Sequence, residues 1–123
     1  MSVMKCMTRQ ECLDDAEAQG LVCFFGEPDE LLIDLDDGNR INKMVREVLG
    51  PFIDGELVTV SKGGRGSHVY YKLNRSLSLP EASALQAALG SDPVREALTI
   101  LQEQDFSLLH ENKLQAERVI AWR

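Results

Sequence analysis

The chain has no apolar run approaching the ~18 consecutive residues that a membrane-spanning helix needs. Met1 to Cys12 contain no apolar stretch of the signal-peptide kind, so a cytoplasmic protein is expected. Cysteine is scarce: Cys6, Cys12 and Cys23 are odd in number and lack a Cys-x-x-Cys spacing. That speaks against a disulfide framework or a zinc site and fits free thiols in a reducing compartment. Net positive charge is missing too. Thirteen Lys and Arg face twenty Asp and Glu, a balance of −7, which argues against a protein that simply coats nucleic acid. Internal repeats and low-complexity segments are absent.

What is there is an ordinary globular mixture, 44% apolar and 27% charged. A chain of 123 residues makes one domain with a core that needs no staples. It divides into an N-terminal helix and strand (1–26), a central core (30–110) and a C-terminal tail (111–123). Thr8 with Glu11 three residues on is a capping-box pattern and predicts a helix over 10–19, stopped at Gly20. Leu21 to Phe25 is a short strand. Leu31 to Asp36 is a strong apolar strand, turned by Asp37-Gly38-Asn39. Ile41, Met44, Val45, Val48 and Leu49 follow helical spacing up to Gly50-Pro51. Leu57 to Val60 and His68 to Leu73 form a hairpin around a Gly-rich tip. Pro80 and Pro93 open two short helices separated by a Gly90-Ser91-Asp92 stop and restart. Phe106 to Leu109 is a strand candidate, and Val119 to Trp122 is another strand or a packed terminus.

The central order is β, α, β, β, helical region, β. This is an α+β chain with the βαββαβ succession of the ferredoxin-like, or split βαβ, arrangement. It predicts a four-stranded sheet with helices on one face, plus the N-terminal helix. In that topology the strand that ends in Asp34 and Asp36 lies beside the strand that begins at His68.

Charge is segregated along the chain. Residues 1–39 carry 2 basic and 10 acidic side chains, residues 40–75 carry 7 and 3, and residues 76–123 carry 4 and 7. The basic stretch contains Ser61-Lys62-Gly63-Gly64-Arg65-Gly66-Ser67-His68. Its glycines let backbone N–H groups approach an anion, and Lys62 and Arg65 add charge. Read alone, it is also an ordinary hairpin tip. Asp34 and Asp36 project to one strand face, where two carboxylates repel unless a cation neutralises them. Asp-Asp-Gly is equally good turn chemistry. His68 reads as a general acid or base, a phosphate ligand or a packed strand histidine.

Taken together, these motifs resemble the archaeo-eukaryotic primase superfamily, the primase–polymerases, whose core is an RRM-like, ferredoxin-like sheet. Leu32-Ile33-Asp34-Leu35-Asp36 is similar to their metal-binding strand. Gly64-Arg65-Gly66-Ser67-His68-Val69-Tyr70 is similar to their phosphate-binding motif, with Gly64 where serine is usual. The resemblance covers residues 31–73. It implies Mg2+ or Mn2+ on Asp34 and Asp36, and phosphates on Lys62, Arg65, Ser67 and His68. Metal-assisted nucleotidyl or phosphoryl transfer would then use Asp34, Asp36 and His68. The family's third acid has two weak counterparts here, Asp105 and Glu111. Residues 84–98 resemble small bacteriophage and prophage proteins, which implies a phage context in a host cell. A nucleotide or single-stranded nucleic acid is the ligand expected from this resemblance. The alternative is a non-enzymatic acidic phage protein that binds a host or phage protein, for example as an inhibitor of a host factor. No membrane partner is expected.

Overall fold

The computed structural model describes residues 8–60 and 64–123. It is a mixed α+β chain: α1 (Arg9–Ala18), β1 (Val22–Phe25), β2 (Glu30–Leu35), α2 (Lys43–Leu49), β3 (Ile53–Val60), β4 (Ser67–Leu73), α3 (Leu79–Leu89), α4 (Pro93–Leu101), β5 (Leu108–Glu111) and α5 (Lys113–Trp122). A 3-10 turn, Gly50–Phe52, joins α2 to β3. No helix among the described residues is long and apolar enough to cross a membrane.

Capping fixes the helix starts where the sequence signals them. Thr8 Oγ1 accepts from the Glu11 N–H while the Glu11 carboxylate accepts from the Thr8 N–H, so two otherwise orphaned donors are satisfied. Ser78 and Glu81 repeat the device at α3. Gly90 ends α3 at φ +114°, and a Cβ there would approach the Arg40 carbonyl oxygen at 3.0 Å, so the stop needs glycine twice over.

Among the described residues, five strands form two small sheets. β2, β4 and β3 make an antiparallel three-stranded sheet in that order, and β1 pairs with β5 in a separate two-stranded ladder. The register sets Asp34 opposite His68 and Leu35 opposite Ser67. On the other side of β4, Thr59 faces His68 and Val60 faces Ser67. The adjacency of the two motif strands is therefore as expected.

The sheet is covered on both faces, which corrects the expectation of helices on one. Leu31, Ile33, Leu35, Val69, Tyr71 and Leu73 pack against Leu49 of α2 and against Ala82 and Leu89 of α3. The opposite face, with Leu32 and Tyr70, packs against Phe24 of β1, Leu109 of β5, and Ala116 and Val119 of α5. The cause is written in β2 and β4. Leu31-Leu32-Ile33 and Val69-Tyr70-Tyr71 are apolar at consecutive positions, and a strand that is apolar at consecutive positions must be buried on both sides. α1 then closes the outer side of the small ladder through Cys12, Ala16, Cys23 and Phe106.

The expected fourth strand is displaced for an equally specific reason. The outer edge of β2 is filled by polar groups from the α3–α4 region. Leu32 N–H donates to Gln86 Oε1 (2.9 Å), and Asp34 N–H donates to Ser91 Oγ (3.0 Å). The Asp34 carbonyl accepts from the Asp92 N–H, and the Leu32 carbonyl accepts from Arg95 Nη1 (2.9 Å). With these groups occupied, β5 has no ladder to join on β2. It is held near by the other arm of the same guanidinium, Arg95 Nη2, which donates to the Leu108 carbonyl at 2.8 Å. The C-terminal residues 119–122, one reading of which was a strand, are the last turn of α5. Ala116, Val119 and Trp122 share a helical face against the core, a period that a four-residue window cannot display.

Candidate functional site

One polar network draws a residue from each of β2, β3, β4 and β5. His68 of β4 lies between two carboxylates. Its Nδ1 is 3.0 Å from Glu111 Oε1, and its Nε2 is 3.4 Å from Asp34 Oδ1. The other oxygen of Glu111 accepts from the Thr59 hydroxyl (2.6 Å) and the Tyr70 hydroxyl (2.7 Å). Glu111, Thr59 and His68 are buried, whereas Asp34 is half-exposed. Alternation explains the convergence: Asp34 shares a face with Leu32, and His68 shares one with Tyr70, so both point to the side that receives β5.

The charges follow from this geometry. Burial works against a charged His68, but the hydrogen bonds and negative charge of Asp34 and Glu111 outweigh it and lift its pKa to about 9. Glu111 is opposed by burial as well, yet its bonds from His68, Thr59 and Tyr70 hold it below the ordinary carboxylate value. Asp34 is lowered, first by its bond to His68. Tyr70 is pushed far above its usual value by burial and by Glu111, so its hydroxyl stays a donor. At neutral pH the array reads carboxylate, imidazolium, carboxylate.

These directions set a pH dependence. A histidine raised in the folded state contributes stability that is complete below its unfolded value near 6.5 and is lost as pH rises through about 9. Asp34 and Glu111, both lowered, contribute stability that is present above the ordinary carboxylate range and lost in acid. The melting temperature is therefore expected to be highest between about pH 5 and 6.5 and to fall toward pH 9 and above. His68→Gln should flatten the alkaline limb. A wild-type melting temperature that stays level from pH 6.5 to 9.5 would contradict the charge assignment.

The exposed end of the array opens into a cleft of about 550 Å3 lined by Asp34, His68, Arg95, Thr99, Gln104 and His110. That volume lies in the range of small-ligand sites. His110 is held neutral, mainly by burial.

The residues expected from sequence divide into three groups. Asp34 and His68 are together. Asp36 stands just past the end of β2 at the surface. Its carboxyl is raised by lost solvation and by the negative neighbours Asp92 and Asp34. Arg65 is exposed on the hairpin tip and Ser67 starts β4, at the Asp36 end of the sheet. Lys62 and Ser61 lie outside the described residues. Of the two acids considered for a third ligand, Asp105 is remote and exposed, with Arg9 at 3.9 Å. Glu111 reaches the site, but its two oxygens are taken by three protein donors. Among the described residues, no group of three or more His, Cys, Asp or Glu side chains is arranged to hold a metal ion.

Sequence reasoning missed Thr59, Tyr70 and Arg95. Thr59 and Tyr70 were findable: one faces His68 in register and the other is two residues along the same strand face. Arg95 carried no such signal, because it acts from a helix onto two backbone carbonyls. No protein-family model, no curated protein and no solved structure matches this chain.

Proposed function

We propose that this chain is a primase-like protein of phage type that binds the phosphates of a nucleotide or of single-stranded nucleic acid at the Asp34–His68 end of its sheet. The observation that supports this reading is the register of β2 on β4. It pairs Asp34 with His68 and leaves Asp36 beside the strand start that follows Arg65. An acidic pair and a basic, Gly-rich turn thus share one end of the sheet.

The donor set suits Mg2+ or Mn2+ in one way only. Asp34 and Asp36 would hold the ion, and phosphate oxygens would have to complete its shell, as Mg2+ commonly arranges. Such an ion neutralises phosphate charge and activates an attacking oxygen in phosphoryl or nucleotidyl transfer. Glu111, which a centre built from three carboxylates would need, is committed to His68, Thr59 and Tyr70. Binding is accordingly the primary activity of this reading, and catalysis is secondary to it.

The expected result is a fluorescence-anisotropy titration in which wild type binds labelled nucleotide or oligonucleotide at low salt with Mn2+, with affinity falling as salt rises. Arg65→Ala combined with Asp34→Asn should weaken binding at least tenfold. Mn2+ alone should leave the melting temperature unchanged, and Mn2+ with a nucleoside triphosphate should raise it. Absence of any binding at low salt would sink the proposal. The second reading would then stand: a non-enzymatic acidic protein that binds a host or phage protein on the same fold. The mutual saturation of His68 and Glu111, which gives them a structural use, favours that reading.

A further inference from the structure

We infer that the outer face of α4 docks a basic amphipathic helix of a partner protein. α4 is built inside out. Its charged and hydroxyl side chains, Arg95, Glu96 and Thr99, are turned into the protein, and Glu96 and Thr99 are buried. Arg95 grips the Leu32 and Leu108 carbonyls, and both oxygens of Glu96 accept from Gln86 Nε2 at 2.7 and 2.9 Å. This use explains why the inner side is polar. It does not explain why the outer side is apolar. Val94 is 44% exposed, Ile100 47% and Leu101 77%, with Pro93 and Ala97 exposed beside them. At 3.6 residues per turn these five positions fall within one arc of about 120°, and none of them is charged. A helix that serves only its own fold keeps its polar side toward water, so a continuous apolar outer face marks a contact surface. Val94, Ala97, Leu98 and Leu101 stand three, four and seven residues apart, the ridge that the groove of a second helix receives.

The charge around this face selects the partner. Asp92 stands at the N-terminal end of α4, where its carboxylate accepts from the Val94 N–H at 3.0 Å, and Asp36 lies near it. Glu103 is exposed just past the C-terminal end. Along the side of the helix, beside Leu98 and Thr99, runs the 550 Å3 cleft, and Asp15 of α1 lines it too. The cations of this region are mostly spent. Arg95 is paired with Glu96, Arg9 faces Asp105, and His68 lies between Asp34 and Glu111. Arg40, whose carbonyl oxygen abuts Gly90, can offset one acid at the Asp92 end. That leaves Asp15, Asp36, Asp92 and Glu103 against a single cation. A helix with Lys or Arg flanking its apolar stripe would cover Val94, Ala97 and Leu101 while its cations meet Asp92, Glu103 and the mouth of the cleft at Asp15. An anionic lipid surface and a nucleic-acid backbone are repelled by the same acids. A second copy fits less well, because α4 set antiparallel on α4 brings Asp92 of one copy to Glu103 of the other. The inference does not rest on the nucleotide reading, since the outer face of α4 holds none of the residues assigned to phosphate or metal.

The test is selection from a displayed library of random helical peptides against the full chain, with binders measured by fluorescence anisotropy and mapped by amide chemical shifts. Winners are expected to carry apolar residues spaced three and four apart, flanked by Lys or Arg, and to shift the amides of α4. Leu101→Asp should weaken them about tenfold or more. Asp15→Lys combined with Glu103→Lys should weaken them about threefold or more and improve binding of charge-reversed, glutamate-bearing versions. All three positions are exposed, so circular dichroism should show both variants folded as wild type. Failure to enrich any peptide over the Leu101→Asp protein would overturn the inference. So would winners without basic residues, shifts confined to other elements, or binding that neither variant changes. A dimer in light scattering that Leu101→Asp dissolves would assign the face to a second copy and overturn it as well.

Discussion

Glu111→Ala should be the most damaging single substitution near the site, costing about 3–5 kcal/mol of stability. The variant removes the acceptor of the buried Thr59 and Tyr70 hydroxyl bonds and one of the two carboxylates facing the His68 imidazolium. A buried charge that loses its partner costs more than the pair ever contributed, because nothing replaces the solvation it gave up. A melting temperature lower by about 10 °C or more is the measurable form of that cost. Glu111→Gln keeps an acceptor and should lose less. A shift smaller than about 2 °C for Glu111→Ala would mean that the network is not what joins β5 to the sheet.

Arg95→Met comes next, with an expected loss of about 3 kcal/mol. Methionine retains an apolar stem but abandons the Leu32 and Leu108 carbonyls, the Ser91 hydroxyl and the ion pair to Glu96 at 3.2 Å. Glu96 is itself buried, and burial raises its pKa, a shift that the guanidinium opposes. Hydrogen exchange should localise the effect, with the amides of the β1–β5 ladder losing protection before those of β4. Lysine should not rescue, because one ammonium group cannot reproduce a fork that reaches two carbonyls at once. Unchanged exchange in β1 and β5 would show that the Arg95 bridge is dispensable.

The elements that the sequence announces are those governed by local chemistry. Thr8 with Glu11 and Ser78 with Glu81 cap helices through contacts three residues long, and Gly90 stops one through its own backbone. The neighbourhood of Asp34 and His68 was legible from the order of strands and helices, since short connections leave few ways to pair them. The misread features depend on partners far along the chain. Nothing within residues 84–98 shows that Gln86, Ser91 and Arg95 will face the backbone of β2, more than fifty residues earlier. In the sequence Glu111 is only a weak counterpart of a third acid, just after a short strand. Its burial is decided by Thr59, His68 and Tyr70, which come from two other strands. Helical cover on both faces was readable in principle, because Leu31-Leu32-Ile33 and Val69-Tyr70-Tyr71 do not alternate. In α2, exposed Met44 and Val48 share a single helical pattern with buried Leu49, and such a pattern records period but not which side faces the core.

The side chains that occupy the outer edge of β2 also determine where this sheet can grow. An unpaired strand edge is a template onto which another chain can add, in recognition or in aggregation. Here that template is already used up on one side by Gln86, Ser91 and Arg95. Among the described residues the only open margin of the three-stranded sheet is β3. It carries Val58 and Val60 outward, and its gatekeepers are Asp54 and Glu56. Any strand recruited from solution is therefore directed to β3, and the two acids there repel an acidic newcomer, including another copy of this chain.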